Sequence, residues 1–192
     1  MGISTEIPFT VGYPSVHVSG HYYGPIGTAA STQGQAQGDA RLCPFIVPTA
    51  GLYDRIVCEL TVVGEAGSVL RLGIYAADQQ TYTPLLQTPL LDAGTVTADA
   101  GVGMKEIVIS QQLTAGVVFL VAVPQLCPTT APQARGIGTA SAIFSSHGTV
   151  LGSAAGNGGA WQQTGITGAL PAWIGSTWSG ATSGSKVWLR KA

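Results

Sequence analysis

Charge is what this chain has least of. Only 9% of its 192 residues are Asp, Glu, Lys or Arg, eight basic against nine acidic, for a formal net charge of −1. A nucleic-acid binder needs a basic patch to neutralise phosphates, and here the Lys and Arg residues are scattered, so nucleic acid is not an expected partner. Long apolar runs are missing as well. The most apolar stretch, "GVVFLVAVPQLC", falls far short of the ~20 residues that a spanning helix requires, and Pro124 interrupts it, so no membrane association is expected. The N-terminus shows no basic, apolar and small-residue succession of a secretory signal, which predicts folding in a reducing cytoplasm. "MGISTE" places Glu6 where a myristoylation pattern wants Ser or Thr. Cysteine is scarce and widely spaced. Cys43, Cys58 and Cys127 form neither a disulfide framework nor a paired zinc pattern, and they read as small buried hydrophobes.

An apolar period of 3.6 is also absent from every window long enough for a helix, and period two stands in its place. In "LYDRIVCELTVVG" the set Ile56, Cys58, Leu60 and Val62 alternates with Val57, Glu59, Thr61 and Val63. "GSVLRLGIYAAD" sets Leu70, Leu72 and Ile74 against Arg71, Gly73 and Tyr75. With "GEAG" between them, the two runs are expected to pair as an antiparallel hairpin. "MKEIVIS" alternates Lys105, Ile107 and Ile109 with Glu106 and Val108, and the continuous "LTAGVVFLVAVPQ" predicts a central strand covered on both faces. Pro44 in "ARLCPFIVPTAG" predicts an edge or bulged strand, and "VWLRKA" a last strand closing the sheet. Many short β runs with Gly and Pro between them indicate an all-β antiparallel sandwich of Greek-key or jelly-roll type.

Residues 136–185 contain no charged residue and are dominated by Gly, Ala, Ser and Thr, yet they carry eleven large apolar side chains. Disordered linkers are poor in aromatics, so long ordered loops with one or two short strands are expected here, packed on the sandwich or on a neighbouring subunit. Three roles stay open for Trp161, Trp173 and Trp178: plugging the core, contacting a subunit, or stacking on a ligand. Tyr22 and Tyr23 join them as candidate contact residues.

Catalytic motifs find no match. There is no G-x-S-x-G elbow, P-loop or dinucleotide fingerprint. Asp54 and Glu59 fall on opposite strand faces by parity, and Asp78, Asp92 and Asp99 lie in turn-like settings, so no carboxylate pair for glycoside hydrolysis is expected. His17 and His21 with Asp39 form the one conceivable metal set, but a third strong ligand at a recognisable spacing is lacking. The expectation is a non-enzyme without catalytic residues, cofactor or metal.

A set of segments in fixed order carries a family resemblance: "SGHYYGPIG", "RLCPFIVPTAGLYDRIVCELTVVGEAGSVLRLGIYAAD", "LLDAGTV", "KEIVISQQLTAGVVFLVAV", "QTGITGALPAWI" and "VWLRKA". Over about residues 18–192 the chain resembles the jelly-roll module of virion proteins of actinobacterial tailed phages, found in minor tail and tail-fibre proteins and as capsid decoration. The resemblance implies a β-sandwich that assembles as a homotrimer on the virion surface after synthesis in the host cytoplasm. Its implied partners are major capsid or tail proteins, and a host cell-surface glycan if it serves in attachment. A carbohydrate-binding module using loop aromatics is the alternative. Two parts are expected: an extended docking arm over residues 1–17, where Ile7, Pro8, Phe9, Tyr13 and Pro14 would lie along another subunit, and the sandwich over 18–192.

Overall fold

Residues 14–25, 29–80, 83–138, 161–173 and 183–192 are described by the computed structural model; Ile7, Pro8, Phe9, Tyr13 and Trp178 lie outside them. The described residues form strands and no helix: β1 (Tyr22–Tyr23), β2 (Ala29–Gly34), β3 (Ala40–Val47), β4 (Gly51–Val62), β5 (Val69–Ala76), β6 (Leu91–Thr97), β7 (Gly103–Leu113), β8 (Gly116–Gln125), β9 (Gln133–Gly138), β10 (Trp161–Gln163), β11 (Ser183–Ser185) and β12 (Val187–Lys191). Five strands join in the order β10-β3-β8-β5-β6. Seven form the second sheet, β1-β12-β4-β9-β11 with β7 on β4 and β2 on β9. This second sheet curls strongly, because β4 pairs with β12 over Tyr53–Cys58 and then with β9 at Leu60 and Val62.

The expected hairpin does not form. β4 and β5 follow each other in sequence but belong to different sheets, β4 pairing with β7, β12 and β9, and β5 with β8 and β6. The turn between them crosses from one layer to the other. It is tied by Gly64 N–H donating to Ala98 O at 2.9 Å and by Ala98 N–H donating to Ser68 O at 2.9 Å. Both strands carry a fully apolar row, and facing each other across a core buries both rows at once, which a hairpin in one sheet would not do. Period two also slips twice along β4. Register shifts at Tyr53–Arg55 and at Leu60–Val62 turn Asp54 and Arg55 outward together and leave Val62 40% exposed, with Val63 against the core instead. The closing strand β12 is not at an edge but between β1 and β4. Pro44 fits its strand because β10 covers only Ala40–Leu42, leaving the far side of Pro44 unpaired by that strand.

Two apolar clusters lie on opposite faces of the five-stranded sheet. The first fills the space between the sheets with Phe45, Tyr53, Ile56, Leu60, Leu72, Leu120 and their neighbours. The second lies on the outer face and contains Leu42, Ile46, Tyr75, Phe119, Val121 and Val123, covered by Ile166, Leu170 and Trp173. Strand β8 belongs to both, and all ten of its residues are buried, as its unbroken apolar run predicts.

The cover is the segment 161–173, the described part of the uncharged stretch, and its course follows the outward residues of β5. The Arg71 guanidinium holds both Asp92 oxygens at 2.8 Å, and Asp92 in turn accepts the Leu170 N–H at 2.9 Å. Leu170 sits over Gly73, where an added Cβ would lie 2.1 Å from Leu170 Cδ1 and 2.7 Å from Leu91 O. The Tyr75 hydroxyl donates to Pro171 O at 2.9 Å, and its ring meets Trp173 edge-on at 5.5 Å. Gln125 at the end of β8 donates to the carbonyls of Ile166 and Gly168 at 3.2 and 2.7 Å. Gly38, at φ +72°, passes so close to Ile166 that a side chain there would meet its backbone N at 2.8 Å.

Trp173 is 1% exposed and stands at the centre of this second cluster. Trp173→Ala is expected to cost ~3–5 kcal/mol of unfolding free energy, the range for emptying a buried large aromatic site. Urea denaturation of both proteins checks it; a loss below about 1 kcal/mol would mean that the segment does not hold the outer face.

Candidate functional site

The outer face of the five-stranded sheet is covered within the chain, whereas the outer face of the seven-stranded sheet presents its side chains outward. Register fixes what stands there. Trp188, Val57 and Glu106 form one row across β12, β4 and β7, and Tyr22, Arg190, Arg55 and Val108 form the next across β1, β12, β4 and β7. Glu59 pairs with Met104, and Arg135 of β9 reaches it from the side.

Three of the chain's five arginines and three of its nine carboxylates meet here. Four of the six ion pairs among the described residues lie on this face: Arg190–Asp54 at 2.6 Å, Arg55–Asp54 at 3.7 Å, Arg55–Glu106 at 3.0 Å and Arg135–Glu59 at 2.6 Å. Three arginines thus meet three carboxylates, with Lys186 over Trp188 as a further cation on the face. The Tyr22 hydroxyl donates to Glu106 at 2.6 Å, a bond that raises its pKa, and Arg190 lies 5.9 Å from the centre of its ring. Around this network the apolar side chains of Val108, Met104 and Tyr22 are 70, 66 and 46% exposed.

Asp54 and Glu59 come to the same face, contrary to their parity, because the register shift at Tyr53–Arg55 inserts one extra outward residue. Each is gripped by two guanidinium nitrogens, Asp54 by Arg190 and Glu59 by Arg135, and these hydrogen bonds hold both carboxyls below the usual carboxylate range. A general acid needs the opposite shift, so neither carboxyl is suited to donate a proton near neutral pH. Asp92 is not a turn residue. It lies in β6, where burial raises its pKa but the bonds from Leu170 N–H, Arg71 and Gly94 N–H together outweigh that and lower it. Asp78 and Asp99 do cap turns, accepting from Gln80 N–H and Gly67 N–H at 2.8 and 2.7 Å.

The structure separates the conceivable metal set. His17 is buried with Nδ1 2.6 Å from the Tyr53 hydroxyl, His21 is exposed with Nδ1 3.1 Å from Ser19 O, and Asp39 binds Arg41 and Gln162 at the far end of β3 from Phe45, which packs on His17. Among the described residues no three His, Cys, Asp or Glu are placed to hold a metal ion. Burial of Cys43 and Cys58 pushes both thiols up to about 12, as befits cysteines that fill space rather than react.

The candidate aromatics therefore do different jobs. Trp173 is core, Trp161 is half-buried on β10, and Tyr23 stacks on His17 with centroids 3.8 Å apart. Tyr22 alone of these four is exposed, and Pro14 is exposed at the start of the described chain. Trp188, half-buried beneath Lys186 at 5.2 Å and closely approached by Gly24, belongs to the uncovered face although sequence reasoning did not single it out. The signal was present: in "VWLRK" Val187 and Leu189 are the inward pair, so parity sends Trp188 and Arg190 outward.

Comparison of the chain with protein-family models, with curated proteins and with solved structures gives no match.

Titration of the side-chain carboxyls by carbon-13 NMR is expected to place Asp54 and Glu59 below the ordinary ~3.9 and ~4.3. Arg190→Gln should move Asp54 upward. A value near or above the ordinary one for Asp54 would contradict the paired arrangement.

Proposed function

We propose that this chain is a non-enzymatic structural subunit of a phage particle, a jelly-roll sandwich displayed on the particle surface as a minor tail or capsid decoration protein. The jelly-roll reading draws support from the way the chain alternates between layers. β1, β12, β4 and β7 lie side by side in one sheet and β3, β8, β5 and β6 in the other, so that each sheet interleaves early and late strands. The phage assignment itself rests on the resemblance of the sequence.

The observation that carries the assembly reading is the outer face of the seven-stranded sheet, on which Val108, Met104 and Tyr22 stand exposed. Three arginines and three carboxylates on it are paired with one another, with Lys186 over Trp188 as one further cation, so a contact over it would bury little unpaired charge, and Val108, Met104 and Tyr22 supply apolar contact area. Copies of the chain meeting through this face would form the homo-oligomer, a trimer by resemblance. The carbohydrate reading loses the ring of Trp173 to the core and keeps Tyr22 as its exposed candidate among the described residues.

Two measurements test this. Mass spectrometry of gradient-purified particles of the encoding phage is expected to find the chain at constant copy number; finding it only in the soluble lysate would overturn the virion reading. Light scattering is expected to give a discrete oligomer that Val108→Arg converts to monomers, with monomer stability changed by no more than about 0.5 kcal/mol at so exposed a position. A monomeric wild-type protein would contradict self-association through this face.

A further inference from the structure

Seven partly buried apolar side chains of the described residues pack against the inner core, and five of them stand on two strands: Leu91, Ala93 and Val96 on β6, Ile107 and Ile109 on β7. These strands lie against each other at one side of the sandwich, where each ends its sheet. Among the described residues β6 pairs with β5 alone and β7 with β4 alone, so the core is incompletely closed along this seam. The two edges differ in what they offer. In β6 a register shift leaves Ala93 as an extra residue, Gly94 stands at φ +89°, and the Gly94 N–H is taken by Asp92 Oδ1 at 3.1 Å. Such a bulge discourages a further strand. β7 pairs with β4 in unbroken register from Gly103 to Val108, and its first irregularity falls at Ile109 and Ser110. Six regular residues thus form an open edge beside apolar side chains, a template for one more strand.

The sequence holds a segment of matching pattern. At least thirteen residues precede Pro14, and in them Ile3, Ile7, Phe9, Val11 and Tyr13 fall on odd positions while Ser4, Glu6, Pro8 and Thr10 fall on even ones. Period two with one apolar row is the signature of a strand covered on one face. Pro8 has no N–H to give, so this segment suits a sheet edge, with its even residues turned away from the ladder and its odd residues bonded to it. Thirteen extended residues reach about 43 Å, whereas six residues of β7 span about 20 Å, so the segment is long enough to cover that edge and bridge to it from another copy.

We propose that residues 1–13 of one copy add as an antiparallel strand along β7 of a second copy, with Ile7, Phe9 and Val11 turned onto the seam between β6 and β7. The chain's own segment fits that edge less well. His17 Nδ1 lies 2.6 Å from the Tyr53 hydroxyl and Tyr53 pairs with Gln111, so the described chain begins at the end of the sandwich where β7 finishes. From there its own residues 1–13 could follow β7 only in parallel, whereas all ten ladders between described strands are antiparallel. The segment of a second copy is free to run antiparallel. Each copy then gives one strand and receives one, and Glu6 and Pro8 on the far side of the added strand blunt the new edge. Lys105, the charged inward residue of β7, bonds its ammonium to Ala100 O at 2.8 Å in the loop before the strand. The inference rests on the self-association reading above and adds a contact to it.

Full-length protein carrying photoreactive benzoylphenylalanine in place of Phe9 tests it. Irradiation is expected to give an adduct of twice the chain mass, with the link mapped by peptide mass spectrometry to β6 or β7. Two full-length proline variants give a second readout by light scattering over a dilution series. Val11→Pro removes an N–H from the ladder and is expected to raise the dissociation constant of the oligomer about tenfold, while Thr10→Pro, whose N–H faces away, should change it by less than about twofold. An adduct within a single chain, links confined to other elements, no two-chain adduct, or equal effects of the two prolines would overturn the proposal while leaving self-association standing. A monomeric wild-type protein would overturn both.

Discussion

The architecture follows from one strand that is apolar on both faces. β8 runs through the middle of the five-stranded sheet with no residue in contact with bulk water, so each of its faces needs a cover. The curled seven-stranded sheet supplies one cover and the segment 161–173 the other. The second is not a loose drape. It is registered along β5 by Arg71 acting through Asp92 of β6, then by Gly73 and Tyr75, each contact using a different chemistry: a charge-assisted anchor, a missing side chain, and an aromatic edge. Its inward side chains Ile166, Leu170 and Trp173 are apolar because a charge at any of them would be buried against residues such as Phe119 and Val121.

The same economy of charge shapes the opposite side. Three of the chain's five arginines and three of its nine carboxylates meet on the outer face of the seven-stranded sheet, where strand register brings Arg55, Arg190 and Arg135 to Asp54, Glu106 and Glu59. A face of this kind is well solvated when free and leaves its three arginines and three carboxylates matched when covered. At its border residues 17–20 are tied to the sheet by the His17–Tyr53 bond and by Gly20 N–H donating to Lys191 O.

Much of the fold was legible because period two survives in the sequence. Leu70, Leu72 and Ile74 do face one way and Arg71, Gly73 and Tyr75 the other, and the run after Leu113 is the doubly covered strand that its composition predicts. The failures have a common cause. A turn such as "GEAG" is chemically the same whether it joins two strands of one sheet or arches between two, so the β4–β5 pairing was misread. A register shift leaves no local mark, so Asp54 went to the wrong face. Asp92 read as a turn residue because its partners, Arg71 and Leu170, are 21 and 78 residues away. Of the candidate aromatics, loop-like sequence could not tell the buried Trp173 from an exposed ring, while Trp188 was readable from strand parity alone.

The central claim is that the uncharged, tryptophan-bearing segment is a packed third layer. Nuclear Overhauser contacts in the full-length protein test it most directly. The account predicts contacts between the Trp173 indole and the Tyr75 ring protons, and between the Leu170 methyls and the Gly73 α-protons, with β8 amides exchanging only on global unfolding. Absence of both contacts, with Trp173 at random-coil shifts, would contradict it.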